Sequence, residues 1–225
     1  MLKNALIALP CTLLILSGCA EFDAWSSGLG AAATPPAAAA PADRLYLAQN
    51  TPADLAVYRR VYIAPANLAN MQVIQPEGAR TDPEWWVTES EDTLLQRTIA
   101  HEFTLALTYG LDFTIVNNPQ EAQLIVNTAV VAVHPDEARA TAAGAGQTGG
   151  SITVSLAVVN VATEKVLLRS VDTRASENIW AFNEVNGEDP ALNAVFASWG
   201  ADLRRGILAL QGRTDTTPMP AGGPY

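Results

Sequence analysis

The stretch that most limits how this chain can fold is Asp189 to Gly212, close to the C-terminal end. Asp189-Pro190 offers an N-cap followed by a proline at the first helical position, where its missing N–H is no loss. Leu192, Val195, Phe196, Trp199, Leu203, Ile207 and Leu210 then recur at three- and four-residue spacing. That spacing draws one continuous apolar stripe along a helix. Gly212 stops it, as a left-handed residue after a helix does. Gly200 and Gly206 lie inside the helix and each costs about 1 kcal/mol against Ala. Burying each large side chain of the stripe is worth roughly 1.5–3 kcal/mol, so the stripe prevails. Such a helix needs an apolar surface to lie on.

The rest of the chain supplies that surface. Ala53 to Arg59 has room for one or two helical turns, and Arg60 to Ala64 reads as a short strand stopped by Pro65. Asn67 to Pro83 reads as an irregular connection. Thr88-Glu89-Ser90-Glu91 has the form of a capping box, in which the Glu side chain reaches back to the cap N–H. The helix that follows places Leu95, Ile99, Phe103, Ala106 and Leu107 on one face and ends at Gly110. Asp112 to Val116 is a short strand. Leu124 to Val133 is a longer one with apolar residues on both faces, which points to an inner place in a sheet. Ser151 to Val161 and Lys165 to Ala175 form a hairpin about Ala162-Thr163-Glu164, and its first arm alternates at Ile152, Val154, Leu156 and Val158. Near the turn, Val159, Val161, Val166 and Leu168 mean either a covered second face or a bulge that shifts the phase. Both helices have one apolar face. The expected fold is therefore α+β: a two-layer sandwich with one mixed, mostly antiparallel sheet of about five strands and two main helices on one face.

The N-terminal stretch has a different character. Lys3 precedes an apolar segment, Ala5 to Leu16, which is too short to span a bilayer. Leu16-Ser17-Gly18-Cys19 then resembles the lipobox of bacterial lipoproteins. The resemblance implies a signal peptide over 1–18, lipid on Cys19 and a membrane anchor through that lipid. Ala20 stands where the usual inner-membrane retention signal has an aspartate, which implies an outer-membrane address with the domain facing the periplasm. Residues 19–44 are rich in Ala, Pro and Gly and read as a disordered tether of roughly 25–30 Å as a coil. One domain over 45–212 and a disordered tail over 213–225 complete the expected organisation.

Charge and cysteine content narrow the function. The formal net charge is −10, and losing Lys3 with the signal makes the mature chain one unit more negative. That argues against nucleic acid as a partner, and against electrostatic docking on anionic lipid head groups. Cys11 lies in the signal and Cys19 carries the lipid, so neither a disulfide nor a thiolate metal site is expected.

The lipobox, Val61-Tyr62-Ile63-Ala64-Pro65, the helix into Phe113-Thr114-Ile115-Val116, and the Gly-rich approach to the hairpin resemble an uncharacterised family of proteobacterial lipoproteins, the domain of unknown function 3313 type. The resemblance covers roughly Tyr58 to Leu210 and carries no catalytic residues. More distantly, the element order is similar to small periplasmic lipoprotein domains that bind other envelope proteins.

The familiar catalytic motifs do not form. Gly144-Ala145-Gly146-Gln147-Thr148-Gly149 fits GxGxxG, but a strand follows where a phosphate-binding helix is needed. His101 and His134 lack zinc-site spacing, and there is no Gly-x-Ser-x-Gly elbow. The acids at Glu89/Glu91/Asp92 and Glu184/Glu188/Asp189 fit helix N-termini, without the pattern of a calcium loop. No cofactor, no metal and no catalytic residue is expected. The candidate partner-binding residues are Trp85 and Trp86, two adjacent tryptophans that cannot easily point the same way, with Trp180 and Phe182 as a second aromatic pair. The expected function is that of a non-enzymatic binding or accessory module for an envelope protein. A cell-wall glycan-binding or glycan-hydrolysing lipoprotein is the alternative, because the separation of paired acids is a three-dimensional fact.

Overall fold

Strand pairing begins from the run Leu124–Pro135, whose two apolar faces do place it inside a sheet. The computed structural model describes residues 46–47, 55–76, 85–137, 148–179 and 190–216. Among these residues the strands are β1 (Tyr46–Leu47), β2 (Arg60–Ile63), β3 (Gln72–Val73), β4 (Thr114–Ile115), β5 (Leu124–Pro135), β6 (Gly150–Asn160) and β7 (Val166–Ser176). The helices are α1 (Glu89–Thr108) and α2 (Pro190–Leu210). One sheet runs in the order β1-β7-β6-β5-β2-β4, and β3 also pairs with β5. β5, β6 and β7 pair antiparallel over long registers, whereas β2, β3 and β4 add short parallel pairs. The two helices pack on each other, α1 against β2 and β4 and α2 against β7. The expected two-layer α+β sandwich is the fold observed, and two unforeseen two-residue strands, β1 and β3, bring the count from about five to seven.

The stretch read as an irregular connection holds a surprise. The Asn67 N–H donates to Thr128 O at 2.8 Å, and β3 pairs at Ala132 and Val133. Residues 60–74 thus run beside β5 as one interrupted parallel strand. A parallel ladder between distant segments leaves no turn signature in the sequence.

The hairpin carries a bulge. Val158 faces Leu168 and Val159 faces Val166, so the alternation breaks where the sequence lost its phase. Asn160 Oδ1 caps the turn by accepting from the Ala162 and Thr163 N–H groups.

The helix signals act as written. The Thr88 N–H donates to Glu91 Oε2 at 2.6 Å and the Glu91 N–H to Thr88 Oγ1 at 3.3 Å, so the capping box is closed. Leu95, Ile99, Phe103, Ala106 and Leu107 are all buried. Gly110 takes φ 76°, and Leu111 follows at φ 60°. On α2, Leu192, Val195, Phe196, Trp199, Leu203 and Ile207 are buried, and Gly212 takes φ 70°. The two interior glycines mark close approaches. A Cβ on Gly200 would stand 2.8 Å from Ala106 Cβ, where the helices cross. A Cβ on Gly206 would collide with Leu168 of the sheet. The helix propensity given up there allows the layers to meet.

Candidate functional site

The two adjacent tryptophans separate. Trp85 is 3% exposed and Trp86 is 51% exposed. Three hydrogen bonds hold the first one. Its N–H donates to Gln75 Oε1 at 2.9 Å, Gln75 Nε2 donates to its carbonyl at 2.9 Å, and its indole Nε1 donates to Glu137 O at 2.8 Å. A single amide side chain from the end of β3 thus pairs with this backbone as a strand would. With Trp85 fixed inward and Val87 also packed on the core, extended geometry turns Trp86 outward.

The surroundings of Trp86 are acidic. Glu89 and Asp92 follow it in the first turn of α1; Asp136 and Glu137, just past β5, and Glu177, just past β7, lie on the Trp85 side, where the indole donates to Glu137 O. Gly149 sits so tightly there that an added Cβ would stand 3.0 Å from Asp136 Oδ2 and 3.2 Å from Glu177 O. Ile179 is buried and its N–H donates to Thr148 O at 2.9 Å. Trp180 and Phe182, expected as a second aromatic pair, lie outside the described residues. So do Cys19, residues 1–18, the whole of the expected tether, residues 144–147 of the glycine motif, and the Glu184/Glu188/Asp189 cluster.

A second feature escaped the sequence reading. Along β7, Ser170, Asp172 and Arg174 face the helices rather than water. Trp199 Nε1 donates to Asp172 Oδ2 at 3.0 Å, and the Arg174 guanidinium lies 5.1 Å from the centre of the Trp199 ring. Arg174 also pairs with Asp172 at 2.8 Å and with Asp202, and it donates to Ser198 Oγ. Beside this network a cavity of about 580 Å³ opens between β7 and α2, with apolar walls from Val154, Leu156, Leu168, Leu203 and Ala209. Polar residues alternating along a strand read as a solvent face, and nothing local distinguishes them from residues aimed at a partner helix.

A third cluster is fully structural. Arg204, 1% exposed, donates to Tyr109 O, pairs with Asp112, and pairs with Asp215 at 3.1 Å. Arg213 pairs with Asp112 as well. Arg213 and Asp215, read from sequence as the start of a tail, are thereby fastened to the end of α1. Burial pushes the Asp112 carboxyl up, but hydrogen bonds from Arg213 and Arg204 outweigh it and hold it below the usual carboxylate range. Helical spacing carried the only sequence signal, since Arg204 lies one turn beyond Gly200, on the side facing α1.

The titratable groups named in the sequence are scattered. His101 is exposed. Burial lowers His134. Burial raises Glu102 between the helices, partly offset by the charge of His101. Among the described residues, no three His, Cys, Asp or Glu side chains gather in a metal-holding arrangement. No helix among them is long and apolar enough to cross a membrane.

The family model described as "Protein of unknown function (DUF3313)" matches residues 36–203. The chain belongs to that family. The resemblance read from Tyr58 to Leu210 is thus a true membership, and the match reaches back to residue 36. No curated protein matches the DUF3313 chain. Among solved structures, the PelC dodecamer from Paraburkholderia phytofirmans is 12% identical at a TM-score of 0.39, covering 74% of this chain and 96% of that one. Hypothetical protein CT253 from Chlamydia trachomatis is 11% identical at a TM-score of 0.41, covering 68% and 99%. Protein XCC0632 from Xanthomonas campestris, of the DUF330 family, is 12% identical at 0.41, covering 69% and 86%.

Proposed function

We propose that this DUF3313 chain is an outer-membrane lipoprotein anchored through Cys19, and that its periplasm-facing domain binds an envelope protein without catalysis. The observation that carries the reading is Trp86. It is half exposed on a backbone that Gln75 and Trp85 fix with three hydrogen bonds, so its presentation is pre-organised. Pre-organised aromatic side chains are the usual anchors of an interface. Glu89 and Asp92, which follow it in the first turn of α1, suit a partner surface bearing Lys or Arg, which also interact with the ring face. The lipobox supports the anchor. A tethered domain meets membrane-held partners at high effective concentration, so a weak interface suffices.

The experiment is crosslinking in cells with Trp85→Ala and Trp86→Ala made separately. Trp85→Ala should melt early, since a large buried side chain is lost. Trp86→Ala should melt like the wild type and lose the captured protein. If Trp86→Ala retains every partner, the interface is elsewhere. If cell-wall glycan is captured instead, the binding class is wrong. The anchor is tested separately: Cys19→Ala should abolish labelling by a fatty-acid analogue, and undiminished labelling ends that part of the reading.

A further inference from the structure

At the far end of α1 from Trp86 stands a second unusual surface. α1 has 20 residues, so the two ends lie about 30 Å apart. Leu111 there is 94% exposed and takes φ 60°, directly after Gly110 at φ 76°. A left-handed backbone disfavours any residue with a Cβ, and an apolar side chain in water gains nothing. Leucine is thus a poor choice at this position on both counts. Yet the turn is firmly built. Buried Arg204 donates to Tyr109 O from beneath and pairs with Asp112, so the residues on both sides of Gly110-Leu111 are clamped. Strain that the surroundings over-determine is a mark of function.

Leu111 has apolar company. Tyr109 is 39% exposed and Val57 is 66% exposed. Val57 reaches the same end because Gln211 Nε2 donates to the Leu55 and Tyr58 carbonyls, while Arg213 bonds both Gln211 and Asp112. The four large apolar side chains found exposed among the described residues are these three and Trp86. The charge here also departs from that of the chain. Arg59 and Arg60 reach this end through β4: the Thr114 N–H donates to Arg59 O at 2.8 Å, Arg60 pairs with Thr114, and the Arg59 guanidinium donates to the Ala56 and Tyr58 carbonyls. The nearest carboxylates, Asp112 and Asp215, are neutralised by Arg204 and Arg213. A strongly acidic protein therefore presents one apolar end whose acids are paired and beside which Arg59 and Arg60 add positive charge.

We propose that the Val57–Tyr109–Leu111 end is a membrane-contact surface: Leu111 enters the interfacial region of the bilayer, and Arg59 and Arg60, the cations there that pair with no carboxylate among the described residues, meet anionic lipid head groups. Charge complementarity favours this occupant, since apolar knobs beside cations suit anionic lipid. The inference rests on the lipid-anchor reading, because the anchor brings the domain to the surface. It would leave Trp86 and its acids pointing away from the membrane. The net charge of the chain argues against such docking, and the proposal departs from that expectation because the charge of Arg59 and Arg60 is local to this end.

The test uses the mature lipidated chain, in which Cys19 is the only cysteine and its thiol is blocked by lipid. An environment-sensitive thiol dye is placed on Leu111→Cys and, separately, on Thr93→Cys near Trp86. Dye uptake by the parent chain would mean an unacylated Cys19, which marks failure of the anchor reading and not of this one. On vesicles of phosphatidylethanolamine with phosphatidylglycerol, the dye at 111 should shift to the blue and the dye at 93 should not. The shift should shrink on phosphatidylcholine vesicles and in a Leu111→Cys chain also carrying Arg60→Glu. In the unlipidated Cys19→Ser chain, Leu111→Asp should lower partitioning to the anionic vesicles by about tenfold or more, with no loss of melting temperature. A dye at 111 that stays in water on every vesicle overturns the proposal. So does an equal shift at 93, or a shift at 111 that grows with protein concentration in the absence of vesicles, which would make the surface an interface between copies.

Discussion

Removing the buried guanidinium of Arg204 should be the most damaging change to the end of the molecule that holds Leu111. Arg204→Met keeps the length of the side chain and its apolar stem. It leaves Asp112 with Arg213 and takes the Arg204 guanidinium away from Asp215 and from Tyr109 O. Breaking a buried ion pair by deleting one member costs about 3–5 kcal/mol, because the surviving charge stays desolvated. For a domain of this size each kcal/mol moves the melting temperature by roughly 2–4 °C, so a fall of about 6–20 °C is expected at neutral pH. The pH dependence has a definite sign. The folded pKa of Asp112 is depressed, so its contribution is fully present above the unfolded carboxyl value near pH 4 and fades as pH falls through the folded value. Below about pH 4 the wild type loses this contribution, and in Arg204→Met protonation relieves the stranded carboxylates. The gap between the two proteins should therefore narrow on acidification. Urea unfolding at neutral pH and again below pH 4 measures both quantities. Arg204→Met with Asp215→Asn should recover part of the loss at neutral pH. A gap under about 1 kcal/mol at neutral pH, or one that widens in acid, would refute the account of Arg204 as a buried and paired charge.

Two further outcomes follow from the helices. Gly200→Ala should destabilise by about 1–3 kcal/mol in a thermal melt, despite its better helix propensity, because the new methyl overpacks the crossing at Ala106. A gain in stability would show that the helices have room to separate. Thr88→Ala should cost about 1 kcal/mol by urea unfolding through loss of the α1 cap, and no change would show that Glu91 alone holds the first turn.

Features set by neighbours in sequence were legible beforehand. The capping box at Thr88, the stop at Gly110 and the stripe through Trp199 are local patterns, and each appears where its spacing placed it. The bulge between β6 and β7 could be foreseen as one of two explanations for a broken alternation. What stayed hidden depends on pairing across long separations. β3 and the Asn67 bridge rest on a parallel partner some sixty residues away. Asp172 and Arg174 carry no local mark of their role, because their partners Trp199 and Asp202 come from α2, some thirty residues on. For the adjacent tryptophans, opposite directions were expected, but the inward one is decided by Gln75 and Glu137, which lie ten residues before it and fifty-two after it. Leu111 drew no notice because a leucine after a terminal glycine is unremarkable until its φ angle and exposure are known.

The interrupted strand from Arg60 to Ile74 also bears on how the chain comes to be folded. Its partner β5 begins 63 residues after Val61 in the register. A chain made from its N-terminus at about 5–20 residues per second spends roughly 3–12 s with Val61-Tyr62-Ile63 exposed and unable to pair. The strands of the β5–β6–β7 meander pair with their neighbours in sequence and have no such wait, so the meander is the natural place for folding to begin. During the delay the early strand is a short β-prone segment open to chains like itself. Arg59 and Arg60 stand immediately before it and Pro65 soon after. Charge and proline at the borders of such a segment discourage intermolecular pairing. The arginines that border the Leu111 surface in the finished protein thus protect the nascent one first.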